Sequence, residues 1–409
     1  MLSQSTRDTI KATIPVLEEN GEALTRHFYQ RMFTQDPEVK AFFNPAHQHA
    51  GTQQKALAAA ILAYAKHIDD PAALAGAIDL IAHKHVSLGV APEHYPIVGR
   101  NLLGAIRELL GEAATDEIIN AWGEAYQVLA DACIAREAEI YREQRETHGW
   151  VGFKPFTVDR VVDESELIRS FHLKPSDGQP LRPFKPGQYL TVRFPSPETG
   201  TTMRNYSLSS APRPDHFRIS VKREDATRAD APHGFVSHRL HGDIAAGDEI
   251  EVSPPAGNFT LEADADDDRP LVLLSGGVGI TPLMAMLEAS GNEAPHRPVG
   301  FFHAALHGGV HAFRGEVDEL AARCPGIEAH YRYSEPRAGD LERGRCHSTG
   351  FVDAAVTRSL TPSNDADFYY CGPRPFMAAV DAALDELGVA PERRRYEFFG
   401  PAQSLRQAS

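Results

Sequence analysis

The 409-residue chain has four cysteines, at positions 133, 324, 346 and 371, and none of them forms a CxxC or CxxCH pattern. That spacing argues against a zinc knuckle, an iron–sulfur cluster and covalent haem attachment, and points to reduced, mostly buried thiols. Long apolar runs are also missing. No window approaches the roughly 20 residues that a membrane-spanning helix needs, so a soluble chain is expected. The N-terminus, MLSQSTRDTIKATIPVLEEN, has no basic flank followed by an apolar stretch, which argues against a signal peptide and for the cytoplasm. Positive charge is scarce: 41 Lys and Arg face 56 Asp and Glu, a formal net charge of −15. Only a local basic patch would offset repulsion by phosphate, and the one dense basic run, Arg393 to Arg395, is short. Neither nucleic acid nor an anionic membrane is the expected partner, and no obligate protein partner is evident.

At this length two to four domains are expected. Up to about residue 148 apolar residues recur at three- and four-residue spacing, with many alanines and breaks at Pro37, Pro45, Pro71 and Pro92. This is the pattern of an all-α domain, placed at 1–148. The stretch YREQRETHGWVGFKP (141–155) loses that period and marks a boundary. In QYLTVRF, Leu190, Val192 and Phe194 alternate with Thr191 and Arg193, and FRISVK alternates likewise. Half-buried antiparallel strands are expected there, in a second domain at 149–262. The acidic ADADDDR (263–269) reads as a solvated linker. Beyond it PLVLLSGG, PVGFFHA and ADFYYCGP each precede a helical pattern, the signature of a parallel α/β domain at 263–409.

IAHKHVSLGV (81–90) carries two histidines two positions apart in a helical stretch. Two residues turn a helix by about 200°, so His83 and His85 point to nearly opposite sides. Ile78, Ile81 and Leu88 share a stripe with His85, while His83 sits nearer Asp79. His85 is therefore the inward one. A hydrogen-bonded core histidine and the axial ligand of a non-covalent haem both fit that position. Two further polar groups fall on inward faces. Tyr29 lies four residues before Phe33, and Glu137 lies four after Cys133 and eleven after Tyr126. A buried carboxylate needs a partner. If both point inward, Tyr29 is placed to donate to a ligand on one side of a haem, and Glu137 to accept from the non-ligating nitrogen of His85 on the other.

With these residues in view, HFYQRMF, AFFNPAHQ, IAHKHVSLGV, PEHYPIVG, AWGEAYQVLA and REAEIY resemble the globin domain of the flavohaemoglobins. The resemblance continues through nearly the whole chain. It implies that His85 is the proximal ligand of one non-covalent haem b, with Tyr95 and Glu137 as its hydrogen-bonded partners. It further implies that Tyr29 is the distal donor, that Phe43 packs on the porphyrin, and that Gln53 and Leu57 line the ligand side. Lys84 would sit near the route to a flavin. Pro96 suits the first turn of the helix that carries Tyr95.

RNYSLSS (204–210) resembles the RxYS motif of the ferredoxin reductase superfamily. Arg204 would pair with the pyrophosphate of FAD, Tyr206 would stack on its ring and Ser207 would hydrogen-bond its polar edge, with Asn205 a further FAD-binding candidate. Tyr189 in PGQYL, and Gly234 and Ser237 opening a helix whose free N–H groups suit phosphate, strengthen the reading. LLSGGVGITPLMAML is a strand, a glycine turn and a helix, with Pro282 where the dinucleotide fingerprint has its third glycine. Gly276, Gly277, Val278, Gly279, Ile280 and Thr281 are the candidates for holding NAD(P)H, with Thr281 as a helix N-cap before Pro282. Cys371, Gly372 and Pro373 in YYCGPRPFM resemble the nicotinamide-side motif of the same superfamily. YEFFGP (396–401) resembles the segment that covers the flavin. There Phe399 takes the covering part with Phe398, Gly400 and Pro401 beside it, and Glu397 lies between flavin and haem.

A hydride donor, a flavin and a haem in one chain form an electron path from NAD(P)H through FAD to iron. The resemblance implies a nitric oxide dioxygenase that oxidises nitric oxide to nitrate with haem-bound dioxygen. The competing readings are a globin that senses or stores a diatomic gas, with the flavin module keeping its iron reduced, and a plain flavin reductase. The absence of an arginine just after His303 favours NADH over NADPH.

Overall fold

The structure, a computed structural model, describes residues 2–44, 48, 51–226, 233–262, 269–342, 344–361, 363, 365–400 and 405. Pro401, and all of the acidic stretch 263–269 except Arg269, lie outside the described residues. One compact unit comprises Met1–Lys154 with Thr191–Arg204 and Glu251–Asn258; the remaining segments form the second.

The helical region runs α1 (Gln4–Ala12), α2 (Ile14–Gln35), α3 (Thr52–Lys66), α4 (Ala75–Leu88), α5 (Tyr95–Leu110) and α6 (Asp116–His148). Helix α2 turns Leu24, Phe28 and Met32, one helical turn apart, into a core shared with Tyr64, Leu102, Ile106 and Trp122. Helix α4 stops at Gly89, whose φ of +79° is costly for residues with a Cβ. The amide of Val90 then bonds back to the His85 carbonyl at 2.9 Å. Helix α5 opens on Tyr95 with Pro96 in its first turn, the position where a missing N–H costs nothing. The long α6 is capped by Thr115, whose hydroxyl accepts from the Ile118 amide at 3.3 Å, and it ends at Gly149. The helical pattern expected up to residue 148 thus matches the end of α6.

Among the described residues, six strands follow in one sheet: β1 (Lys154–Asp163), β2 (Ile168–Pro175), β3 (Tyr189–Ser196), β4 (Gly200–Ser207), β5 (Phe217–Lys222) and β6 (Glu249–Val252), with α7 (Phe235–Gly242) between the last two. Their order is β4-β3-β6-β1-β2-β5, and β1 with β2, β2 with β5 and β3 with β6 pair antiparallel. The expected half-burial fails for β5, where Arg218 and Ser220 are as covered as their apolar neighbours. Ser220 Oγ meets Ser170 and Ser209, each at 2.7 Å, and Arg218 forks onto Glu316 and reaches Glu288 at 3.2 Å. Polar partners from other elements make the second face of β5 an interior one. Thr191 in β3 is buried for a similar reason, its amide donating to Ser253 Oγ at 2.9 Å.

The last region is a parallel α/β sheet of order β10-β9-β8-β7-β11-β12. It contains β7 (Leu271–Gly276), α8 (Ile280–Glu293), β8 (Val299–Ala305), α9 (Arg314–Arg323), β9 (Ile327–Tyr333), β10 (Ser348–Thr349), α10 (Ala354–Ser359), β11 (Asp367–Cys371), α11 (Arg374–Glu386) and β12 (Arg394–Glu397). Strands β7 and β11 are buried on both faces, as near-continuous apolar runs in a covered parallel sheet should be. All four cysteines are free and buried. Among the described residues no helix is long and apolar enough to cross a membrane.

Candidate functional site

The two histidines part as the helical geometry requires. His83 Nδ1 accepts from the Gly257 amide at 3.1 Å, and its Nε2 lies 3.8 Å from Asp79. His85 faces the helical core, where its Nδ1 lies 2.7 Å from Glu137 Oε1 and 3.1 Å from Tyr95 Oη. Tyr95 Oη also donates to Glu137 Oε1 at 2.5 Å. With the phenolic proton spent on Glu137, the proton between histidine and carboxylate belongs to Nδ1, which leaves Nε2 as a bare donor of electrons. The imidazole side chain retains 35 % exposure, while that of Glu137 has 3 %. The second carboxylate oxygen of Glu137 is buried and has no hydrogen-bond partner among the described residues.

Three elements set this cluster. Helix α4 supplies His85, the first residue of α5 supplies Tyr95, and α6 supplies Glu137. Tyr126 Oη donates to the Tyr95 carbonyl at 2.7 Å and pins the start of α5. Tyr141 Oη holds the Val90 carbonyl at 2.8 Å, just past the end of α4. Burial and the bond to Glu137 push the Tyr95 phenol well above its ordinary pKa. Cys133, one turn before Glu137, is pushed up to about 11 by burial and then by the Glu137 charge.

Across the same helical unit, Tyr29 is buried and ringed by Phe28, Phe33 and Phe43, with centroids 5.0, 5.7 and 5.6 Å away. Burial raises its pKa well above the usual phenol range, so it stays a donor. Phe43 and Leu57 pack against this core only half-covered. Gln53 accepts from Gln48 Nε2 at 2.9 Å, and Gln48 Oε1 accepts from Gln54 Nε2 at 2.8 Å. Gln48 and Gln54 were missed from the sequence. Their signal, glutamines one and five residues from Gln53, is indistinguishable there from an exposed polar face. Lys84 is half-buried on α4 beside His85.

At the end of β4, Arg204 donates to Thr202 Oγ1 at 3.2 Å, to the Met203 carbonyl at 2.6 Å and to Asn44 Oδ1 at 3.0 Å. Along the strand Asn205 is exposed, Tyr206 half-buried and Ser207 buried, and Tyr189 is buried at the start of β3. Gly234 precedes α7. Ser237 donates its hydroxyl to the Gly234 carbonyl at 3.0 Å and accepts from the Glu224 amide at 3.1 Å. That hydroxyl is committed to shaping the turn, and the first-turn amides of α7 are what remain for a phosphate.

The β7 turn divides its glycines by task. Gly277 has φ +52° and open space where a Cβ would stand. A Cβ on Gly279 would sit 2.2 Å from the Cys371 carbonyl oxygen, so this glycine lets two backbone segments touch. Gly276 and Gly372 both lie under the Phe376 ring. Thr281 is not the N-cap expected from its place before Pro282. Helix α8 begins at Ile280 after Gly279, and the Thr281 hydroxyl, already inside the helix, donates back to the Val278 carbonyl at 3.0 Å. Val278 and Gly372 are half-buried, and Pro373 is exposed at the mouth of this turn. Cys371 is fully buried at the end of β11 and pairs in register with Glu397 of β12. Glu397 is buried, Phe398 packs edge-on to Tyr396 at 5.7 Å, Phe399 is 47 % exposed, and Gly400 has φ +140°.

Residues 26–133 match the globin family, 155–261 the oxidoreductase FAD-binding domain, and 273–382 the oxidoreductase NAD-binding domain. The chain is 51 % identical over 406 residues to a flavohemoprotein of Rhodopirellula baltica, covering 99 % of both chains. It is 50 % identical over 402 residues to one of Chromobacterium violaceum, covering 98 % of both. The chain belongs to the flavohemoprotein family. The crystal structure of the flavohemoglobin from Malassezia yamatoensis with bound FAD and heme has a similar fold, with a TM-score of 0.84, 28 % identity, and 98 % of this chain and 100 % of that one covered. The flavohem-like FAD/NAD binding domain of nitric oxide dioxygenase from Vibrio cholerae is 34 % identical with a TM-score of 0.54, over 61 % of this chain and 99 % of that one.

The family's cofactors, haem, FAD and a nicotinamide nucleotide, fit the residues present. For haem, a part-exposed imidazole carries a bare Nε2, its other nitrogen is tied to a buried carboxylate, and half-covered Phe43 and Leu57 offer an apolar wall. For the nucleotide, Gly277 leaves open space at the C-terminal end of a parallel strand, the end where open α/β sheets bind ligands. For FAD, the first-turn amides of α7 suit a phosphate.

Proposed function

We propose that the protein is a nitric oxide dioxygenase of the cytoplasm, converting nitric oxide and dioxygen to nitrate with electrons from NAD(P)H. The observation that carries this reading is the Glu137 carboxylate 2.7 Å behind His85, within a globin joined to FAD- and NAD-binding domains. A module that only stored a gas has no use for an anionic group that enriches the iron ligand. When bound, haem supplies an iron that holds dioxygen, and FAD relays electrons to it from the nicotinamide.

The remaining work falls to side chains. His85 would ligate through Nε2, and Glu137, by accepting the Nδ1 proton, makes that nitrogen a stronger electron donor. Tyr95 orients the carboxylate and limits how far the proton shifts. Tyr29, buried and protonated, would present a hydrogen-bond donor to the distal ligand, a preorganised dipole aimed where negative charge develops. Phe43, Gln53 and Leu57 would line the pocket, and the Gln54–Gln48–Gln53 amide string would hold Gln53 in one orientation. FAD would be held by Tyr189, Arg204, Asn205, Tyr206, Ser207, Gly234 and Ser237, with Phe398, Phe399, Gly400 and Pro401 beside it. NAD(P)H would lie over residues 276–281 and 371–373. Lys84 and Glu397 would tune the passage of electrons. The corresponding domains are 1–148, 149–262 and 263–409.

Each nitric oxide oxidised to nitrate with one dioxygen takes up one electron, so one hydride supports two turnovers. Stopped-flow addition of nitric oxide to oxygenated, NADH-reduced protein tests the proposal. The expected result is stoichiometric nitrate with that ratio to NADH. Trapping of nitric oxide without nitrate would support the gas-binding globin instead.

A further inference from the structure

We propose that Asp225, His233 and His238 form a binding site for a divalent transition cation of the zinc type. Asp225 lies just beyond β5, His233 directly precedes Gly234, and His238 stands in the first turn of α7. One ligand atom from each of the three lies within 4.8 Å of the others. The two imidazole rings are 4.5 Å apart.

Two features set this cluster apart from an ordinary surface ion pair. First, two imidazole nitrogens face the same oxygen: His238 Nε2 is 3.0 Å from Asp225 Oδ1, and His233 Nδ1 is 3.9 Å from it. Second, His238 Nε2 is shielded from solvent and is turned onto Asp225 Oδ1 at 3.0 Å. A nitrogen lone pair that close to a carboxylate oxygen is repelled unless a proton or a cation stands between them. Zinc bonds of about 2.0–2.2 Å to imidazole nitrogen and carboxylate oxygen need ligand atoms about 3–4 Å apart, and both nitrogen–oxygen distances to Asp225 Oδ1, 3.0 and 3.9 Å, fall in that range.

The donor set also selects the ion. Two imidazoles and one carboxylate suit zinc and its neighbours better than calcium or magnesium, which prefer oxygen-only shells. Arg223 Nε lies 3.1 Å from Asp225 Oδ1 and 3.3 Å from Oδ2, so it can keep Oδ2 while Oδ1 turns to the metal. His233 is positioned beside Asp225 by the Ala226 amide, which donates to its Nδ1 at 3.1 Å, a bond that metal capture replaces. Three protein ligands leave a fourth position for water. A bound ion would tie the segment after β5 to the first turn of α7.

The test uses the full chain loaded with haem and FAD, cleared of loose metal with a chelator and then titrated with Zn2+ at pH 7.5 against a chromogenic competitor. The expected result is one Zn2+ per chain, with an X-ray absorption shell of nitrogen and oxygen at about 2.0 Å and imidazole outer scattering. Asp225→Asn should weaken uptake at least tenfold, and His233→Ala combined with His238→Ala should abolish it, while unchanged haem and flavin absorption shows that both variants are folded. If the wild type takes up no stoichiometric Zn2+, or the double variant binds the same equivalent with the same affinity, the site does not exist.

Discussion

Glu137→Gln probes the proximal cluster with the least change of shape. The carboxylate accepts two bonds at Oε1, from His85 Nδ1 at 2.7 Å and Tyr95 Oη at 2.5 Å. An amide oxygen there can still accept both, but a bond to a charged acceptor is worth about 1.5–3 kcal/mol and a neutral one about 0.5–1.5. The imidazole therefore loses roughly 1–1.5 kcal/mol of polarisation. That loss weighs more on ferric than on ferrous iron, since ferric iron draws more on its ligand. A tenfold change in a one-electron equilibrium, about 1.4 kcal/mol, corresponds to 59 mV, so the haem midpoint potential should rise by about 40–60 mV. The new amide nitrogen would replace an oxygen that is buried without a partner among the described residues, which costs a further 1–3 kcal/mol or so of stability. Tyr95→Phe acts in the opposite sense. It leaves the carboxylate one donor poorer, concentrates its charge on Nδ1–H and should lower the potential. Spectroelectrochemical titration of the two holo-variants checks both signs. A Glu137→Gln potential within about 10 mV of the wild type, or shifts of the same sign in both variants, would refute the reasoning.

Tyr29→Phe should retain haem and FAD but lose the distal donor, with nitric oxide turnover falling about 100-fold and dioxygen leaving faster; flash photolysis and nitrate yield measure the two. Gly279→Ala pushes a Cβ to 2.2 Å from the Cys371 carbonyl, and should lower the stability of the nucleotide region by about 1–3 kcal/mol and raise KM for NADH without moving the haem spectrum. Gly277→Ala, with open space but φ +52°, should cost only about 1–2 kcal/mol; thermal denaturation of the pair tests the order. His303 is fully buried with a pKa lowered to about 3 by desolvation, whereas in the unfolded chain it protonates near the ordinary histidine value of about 6.5. Its contribution to stability is therefore complete above 6.5 and drains as pH falls toward 3, at up to about 1.4 kcal/mol per unit. Urea unfolding at pH 7 and 5.5 should show a loss that shrinks by about 1 kcal/mol in His303→Gln.

How far the sequence could be read depended on the range of the interaction. His85, Tyr29 and Glu137 were legible because each sits on a helix whose apolar stripe declares which side is inside, and a polar residue on that stripe is conspicuous. The end of the helical region at His148, and Tyr95 opening a helix ahead of Pro96, follow from local rules as well. Arg218 shows where such rules stop. On an alternating strand it belongs to the solvent face, yet it is buried because Glu288 and Glu316 reach it from 70 and 98 residues away. Thr281 failed for the converse reason. The local preference for threonine as an N-cap yielded to a glycine turn, Gly277–Gly279, that leads straight into the helix at Ile280.

The same distinction explains why the site takes three helices. Residues four apart on one helix meet side by side on its surface, whereas the groups behind His85 Nδ1 come from two other helices. Tyr95 and Glu137 come from 10 and 52 residues away and converge on one atom of His85. Each helix start or end that aims them is fixed by its own contact: Gly89 ends α4, the Tyr126 hydroxyl of α6 holds the start of α5, and the Thr115 cap opens α6. Loosening any one of these should detune the imidazole without removing a ligand. Tyr126→Phe, remote from Nδ1 and uncharged, should therefore shift the haem potential by a fraction of the Glu137→Gln change while leaving haem bound.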